Sequence, residues 1–272
     1  MKFPNILNRK NRIILRELVI TDFKLRYQGS VLGYLWSLLK PLMLFAIMFV
    51  VFVHFLRFGE GIEHFAVSLL LGLVLWTFFT EATGQGMQAI VTRGSLFRKI
   101  NFPKYIVVIS ATISALINLG LNIVVVFVFM IFDGVRFSPT LALFPLTILV
   151  LYVFALGMAF FLSAAYVKFR DIAHLWEVFL QGAFYATPII YPLQLVQSVG
   201  GQFAAQLLML SPIAVLLQVA RSQVVGSEHV VTAEELFSNP LYLAIPYIII
   251  GATVVVATVY FRRSQSKFAE QV

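Results

Sequence analysis

Cysteine is absent from the chain, which excludes structural disulfides, thiol catalysis and cysteine-ligated metal centres together. Charge is scarce as well: Asp, Glu, Lys and Arg make up 12% of 272 residues, with 12 acids against 20 bases. A chain that is 60% hydrophobic, with a mean hydropathy of +0.92, lies outside the soluble globular class and reads as an integral membrane protein. Also missing are a GxxxxGK(S/T) phosphate loop, a GxGxxG fingerprint, an HExxH zinc helix and a GxSxG elbow. The chain is therefore expected to bind no cofactor, to have no catalytic residues and to be no enzyme. Its four histidines, His54, His64, His174 and His229, fall on separate segments, so no metal ligand set is expected. The first residues, MKFPNILNRKNRIILREL, lack an apolar core followed by a small-residue cleavage site, so they are read as no cleavable signal peptide, with the first span as insertion signal.

What is present is a series of apolar runs separated by basic loops. Basic residues distributed in this way report membrane topology, and nucleic acid is excluded as a partner. Arg9, Lys10, Arg12, Arg16, Lys24 and Arg26 alternate with Ile13, Ile14, Leu18, Val19, Phe23 and Leu25, a pattern for an amphipathic helix lying among lipid headgroups. Residues 31–56 form the first span, with Pro41 either opening or kinking it. The second is expected over about 65–82, with Glu81 at the membrane boundary and a TGQGMQ run too polar for lipid beyond it. The loop VTRGSLFRKINFPKY has four bases and no acid, which places it in the cytoplasm, and SLFRKINF reads as two amphipathic turns.

The third span, about 105–132, carries Ser110, Ser114, Asn118 and Asn122 at four-residue spacing, a stripe expected to pack helix on helix more than to line a pore. The fourth is expected over about 141–167. Val167–Pro192 then forms a fifth span, opening on Lys168, Arg170 and Asp171 and ending at Pro188 and Pro192. On it Glu177, Gln181 and Tyr185 recur every four residues and share one helix face suited to protein or water. His174 and Glu177, three apart, are expected to hydrogen-bond each other. Residues 193–225 read as one or two helices that enter the outer leaflet and return, so that the last span, about 241–261, brings the tail inside. This topology puts 17 of the 20 Lys and Arg in the cytoplasm, leaving Arg57, Arg136 and Arg221 outside. Secondary transporters usually carry mid-membrane carboxylates and an internal repeat, and neither is evident.

Four blocks carry a family resemblance: LGYLWSLLKPL at 32–42, LFRKINFPKY at 96–105, KFRDIAHLWEVFLQGAFYATPIIYP at 168–192 and LSPIAVLLQVAR at 210–221. In this order they resemble the permease subunits of ABC-2-type exporters of lipid-linked polysaccharide, which move O-antigen, teichoic acid and capsule chains. Ser211 stands before Pro212 where relatives usually have Asn. The resemblance implies an all-α integral membrane fold: a cytoplasmic interface helix (1–30), a six-span domain (31–261) with re-entrant gate helices at about 193–225, and a cytoplasmic tail (262–272). It implies a homodimer in a bacterial inner membrane, both termini cytoplasmic, paired with two copies of a separate ATP-binding subunit that holds ATP and Mg. Membrane lipids and a lipid-linked glycan are its other partners.

Residue by residue, the resemblance assigns coupling to the ATPase subunit to Arg12, Arg16, Leu96, Phe97, Arg98, Lys99, Phe102, Pro103, Arg170 and Asp171. Channel lining is expected of Glu177, Gln181, Tyr185, Trp76 and Thr80, and the resemblance points to an outer gate with Pro188, Tyr191, Pro192, Ser211 and Pro212. The alternative is an ABC-2 permease for a small hydrophobic drug or lipid. A membrane scaffold for glycan synthesis, without transport, is a third reading.

Overall fold

A computed structural model of the chain describes residues 8–94, 96, 102–265 and 268. Among these residues the fold is helical throughout, with no strand. In chain order the helices are α1 (Arg9–Tyr27), α2 (Trp36–Met48, continued by π-helical turns over Phe49–Phe55), α3 (Phe65–Thr92) and α4 (Tyr105–Phe132). They continue with α5 (Phe144–Lys168), α6 (Ile172–Ala186), α7 (Leu193–Met209), α8 (Pro212–Val225), the single turn α9 (Ala233–Leu236) and α10 (Pro240–Ser264).

Among the described residues five helices are long and apolar enough to cross a membrane: α2 with its π-helical extension, α3, α4, α5 with the 3-10 turn before it, and α10. The protein is thus a multi-pass membrane protein. α3 is its axis: 78% of its most apolar 18 residues are buried, against 11% for α2 and 17% for α10. α3 packs on α4 and α5, α5 carries α10, and α1 lies on α4. A helix apolar on every side belongs inside a bundle, whereas α2, α6 and α10 leave large side chains such as Ile47, Val178 and Val255 exposed to lipid or to another chain.

Two expectations change. The second span does not stop near residue 82: α3 runs unbroken to Thr92, and the TGQGMQ run is helical because α4 and α5, not lipid, receive it. At Gly86 a Cβ would stand 2.5 Å from the Cβ of Ala159, so the glycine allows the two helices to approach closely. The stretch 167–192 is also not a bilayer's length of helix. α5 extends to Lys168, and α6 has 15 residues, about 22 Å at 1.5 Å per residue. Past Thr187 the chain continues non-helically, with Thr187, Pro188, Ile189 and Ile190 all buried. Pro41 lies within α2, so it does not open the helix.

Residues 193–225 form two helices that meet at 102° across a short break. α8 is polar where it faces the bundle: Gln218, Arg221 and Gln223 are buried, and Thr147 of α5 donates to Gln223 Oε1 at 2.9 Å. α7 is tied to α9 by Gln206 Nε2, which donates to the Leu236 carbonyl at 2.8 Å.

Candidate functional site

Along one side of α3 three adjacent cavities follow one another. The first, about 230 Å3, lies beside α1 and is lined by Asp22, Gln85, Gln88, Thr92 and Arg93 among others. The second, about 480 Å3, shares Gln85 and lies between α2, α3 and α4, lined by Trp36, Ser37, Lys40, Thr77, Thr80, Glu81, Asn118 and Asn122. The third, about 310 Å3, shares Thr80 and is walled by Trp76, Glu177, Leu180, Gln181, Phe184 and Tyr185. All five residues expected to line a channel thus come together in one groove between α3 and α6.

The groove is held from behind. Trp176 Nε1 donates to Thr83 Oγ1 at 3.2 Å and its ring meets Phe79 of α3 at 6.3 Å between centroids, fixing α6 against α3. Trp76 meets Phe184 at 5.8 Å between ring centroids. Glu177, Gln181 and Tyr185 remain exposed on the open side. No hydrogen bond joins His174 to Glu177; both side chains are exposed, and water competes for such a pair.

In the middle cavity Glu81 is the hub. Its Oε1 accepts from Gln85 Nε2 and Asn118 Nδ2, both at 2.8 Å. Asn122 Nδ2 donates to the Asn118 carbonyl at 2.8 Å and to the Ser37 carbonyl at 3.2 Å, bridging α4 to α2. The four-residue stripe on α4 therefore divides. Ser110 and Ser114 are fully buried and turn back on their own helix, while the amides Asn118 and Asn122 reach the cavity. Glu81 lies about 24 Å along α3 from its start, inside an unbroken helix.

At the α1 end, Arg93 forms an ion pair with Asp22 of α1, and its Nη1 donates to Ser110 Oγ at 2.9 Å. Burial lowers the Arg93 guanidinium from its ordinary value. α1 presses Ile14, Leu15 and Leu18 onto a core that includes Ile90, Phe102, Ile106 and Phe261. Arg12 and Arg16 are exposed. Of the expected coupling residues, Leu96 is half-buried, Phe102 is buried and Pro103 half-buried, while Phe97, Arg98 and Lys99 lie outside the described residues. Arg170 and Asp171 are exposed in the turn between α5 and α6, with the Arg170 guanidinium 5.0 Å from the Tyr166 ring centroid.

At the other end the most constrained side chain is Arg221, 3% exposed. Its Nε donates to the Ser68 carbonyl (3.0 Å), Nη1 to the Pro188 carbonyl (2.5 Å) and Gln218 Oε1 (3.0 Å), and Nη2 to the Ile189 carbonyl (2.7 Å). Among the expected gate residues it therefore holds Pro188 directly. Pro192 and Pro212 are buried, Tyr191 donates its hydroxyl to the Tyr185 carbonyl at 2.8 Å, and Ser211 caps α8 without a side-chain bond. The charge count treats Arg221 as a residue outside the membrane. In the fold it is an internal clamp, and only the isolation of a lone base in an apolar run hinted at this.

A multi-pass helical bundle with polar cavities along a central helix, a docked amphipathic helix and a sharply bent helix pair defines a membrane transport subunit. The ABC-2 type transporter family is matched over residues 15–224, and the chain belongs to that family. It is similar to the O-antigen export system permease protein RfbA of Myxococcus xanthus, 32% identical over 186 residues, 68% of this chain and 71% of that protein. Two Klebsiella pneumoniae proteins of the same name are similar too. One is 28% identical over 62% of this chain and 65% of its own length, the other 24% identical over 92% and 91%.

Proposed function

We propose that this chain is the transmembrane subunit of an ATP-driven exporter that moves a lipid-linked polysaccharide across a bacterial inner membrane. The observation that carries the reading is the groove where Trp76, Thr80, Glu177, Gln181 and Tyr185 meet, continuous through Thr80 and Gln85 with a polar track toward α1. Aromatic faces, amides and hydroxyls without a dominant charge suit a sugar chain, which offers apolar ring faces and many hydroxyls. Weak, repeated contacts favour processive sliding. The similarity to proteins named O-antigen export permeases supports the same substrate class.

α2 and α6 leave large apolar side chains exposed, so a second copy of the chain packed on them would close the groove into a channel. ATP hydrolysis belongs to a separate subunit in two copies, contacted by α1, the 94–103 segment and the Arg170–Asp171 turn. Its closure would press α1 and the connected ends of α3 and α4, separating the two copies enough to admit the glycan on its carrier. The basic face of α1 suits a pyrophosphate headgroup and anionic lipid. Both termini lie in the cytoplasm, and α6 makes the sixth crossing although short. Its non-helical continuation is covered by protein, with the Pro188 and Ile189 carbonyls paired to Arg221, the condition for irregular backbone at membrane depth. The α7–α8 pair forms the outer gate.

The test is ATP-dependent appearance of glycan outside cells depleted of the protein and restored with the normal chain or one disrupted over 94–103. Loss of surface glycan with accumulation of the lipid-linked precursor, rescued only by the intact chain, is expected. Normal surface glycan throughout depletion overturns the reading in favour of small hydrophobic cargo or a scaffold.

A further inference from the structure

At the end of the bundle remote from α1, three separate segments bring together a set of side chains that lie outside the groove and its polar track. Glu63 and His64 end the loop between α2 and α3, Asp133 caps α4, and His229 follows α8. We propose that Glu63, His64 and His229 form a binding site for a transition-series divalent cation of the zinc class, with Asp133 orienting His64.

The donors are already gathered: one ligand atom from each of Glu63, His64 and His229 lies within 4.8 Å of the others. The two imidazoles meet edge to face, with ring centroids 5.4 Å apart. His64 Nδ1 is engaged by Asp133 Oδ2 at 2.7 Å, which leaves Nε2 as the coordinating atom. A carboxylate behind an imidazole is the arrangement that fixes tautomer and ring direction in metal-binding histidines. His64 also holds a left-handed backbone (φ 58), a placement that costs energy in a residue with a Cβ and that clusters at ligand-holding positions. Neither ring nitrogen of His229 has a hydrogen bond: Nδ1 is 3.7 Å from Glu63 Oε2 and Nε2 3.6 Å from Glu228 Oε1.

Donors about 2.0–2.1 Å from zinc lie roughly 3.4 Å from one another; Glu63 Oε2 is already 3.7 Å from His229 Nδ1, and no pair has more than about 1.4 Å to close. The Glu63 side chain, 74% exposed, can swing onto the ion, while His64 and His229 are about four-fifths buried and have only small ring adjustments to make. Two imidazoles and one carboxylate select zinc, copper or nickel over magnesium and calcium, which prefer all-oxygen sites. Water completes the tetrahedron. The ion would tie the segment leaving the bent α7–α8 pair to the start of α3, a cross-link that a chain without cysteine cannot make with a disulfide.

The experiment uses the full chain purified into lipid nanodiscs, stripped with chelator and titrated with Zn2+ by equilibrium dialysis, with Co2+ as the spectroscopic probe. One Zn2+ per chain and the visible bands of tetrahedral Co2+ are expected. Both are lost in the His64→Ala/His229→Ala double variant and kept in a His54→Ala/His174→Ala control. Glu63→Gln, a change on an exposed side chain that the fold tolerates, loses the Co2+ bands without loss of helix content. Asp133→Asn weakens Zn2+ by about 10- to 100-fold. The proposal is overturned if the normal chain binds no more Zn2+ than the double variant and Glu63→Gln. It is equally overturned if the control pair removes the same binding, which would mean an adventitious ion only.

Discussion

The Nη2 atom of Arg221 lies 2.7 Å from the point where a Cβ on Gly72 would stand. The guanidinium is fixed there by the Ser68, Pro188 and Ile189 carbonyls, so it has no slack to yield. Gly72 is thus the opening through which α8 reaches across α3 to the end of α6. Gly72→Ala must displace Nη2 from Ile189, and Arg221→Met strands the non-helical Pro188 and Ile189 carbonyls at about 1–3 kcal/mol each, while the Ser68 carbonyl keeps its partner within α3. Both variants are expected to lower the thermal midpoint of the purified protein, the second more. Arg221→Lys should recover only part of the loss, because an ammonium lacks the planar fork. A normal midpoint for Arg221→Met would show that the clamp adds no stability.

Gly86 and Gly84 provide a matched pair two residues apart on the same helix. A Cβ at Gly86 meets Ala159 at 2.5 Å and Thr112 at 3.5 Å, whereas one at Gly84 meets nothing within 4 Å. Gly86→Leu is expected to sharply reduce the yield of monodisperse protein, since overpacking a filled crossing costs about 1–3 kcal/mol or more. Gly84→Leu should express and elute normally, and equal behaviour of the two in size-exclusion profiles would refute the close crossing of α3 and α5.

What was legible in the sequence follows from which forces act locally. The spans over 105–132 and 241–261 fall where α4 and α10 do, because their apolar runs are bounded by charges and prolines that lipid rejects. The stripe Glu177, Gln181, Tyr185 needed only helical period. The end of α3 could not be read: TGQGMQ looks like a loop until α4 and α5 surround it. Nor could the meeting of His64 with His229, separated by most of the chain, or the conversion of Arg221 from a topological charge to an internal clamp. Each depends on long-range packing that no window of sequence contains.

The Asp22–Arg93 pair joins α1 to the end of α3, with both side chains about four-fifths buried. Asp22→Asn removes the acidic partner and leaves the partly buried Arg93 cation with Ser110 Oγ alone, so α1 should loosen from the bundle. The expected readout is faster proteolysis within 9–27 and reduced co-purification of the ATP-binding subunit. The swapped variant Asp22→Arg/Arg93→Asp should restore much of both. Equal loss in the swap would indicate that these positions act singly and not as a pair.

Arg170 and Asp171 lie exposed in the turn that connects α5 to α6. Because they hold no buried contact, Arg170→Glu and Asp171→Ala should leave folding stability within about 0.5 kcal/mol of normal. Export, or capture of the ATP-binding subunit, should nevertheless fall several-fold. Unchanged surface glycan and unchanged complex yield in both variants would remove the turn from the coupling surface.

Glu177 and Gln181 offer the cleanest separation between a sugar path and a greasy one. They are exposed on the open wall of the groove, whereas the neighbouring Trp176 holds α6 in place, so Glu177→Leu/Gln181→Leu alters the lining without touching the anchor. An apolar wall keeps stacking on Tyr185 and Trp76 but loses donors and acceptors for hydroxyls. Surface glycan should drop several-fold in cells carrying this variant, with normal chain levels and normal recovery of the ATP-binding subunit. Efflux of a small apolar dye gives the opposite control: it should be negligible in both the normal and the variant strains. Dye efflux by the normal chain, maintained or raised in the variant while glycan is unaffected, would assign the groove to hydrophobic cargo.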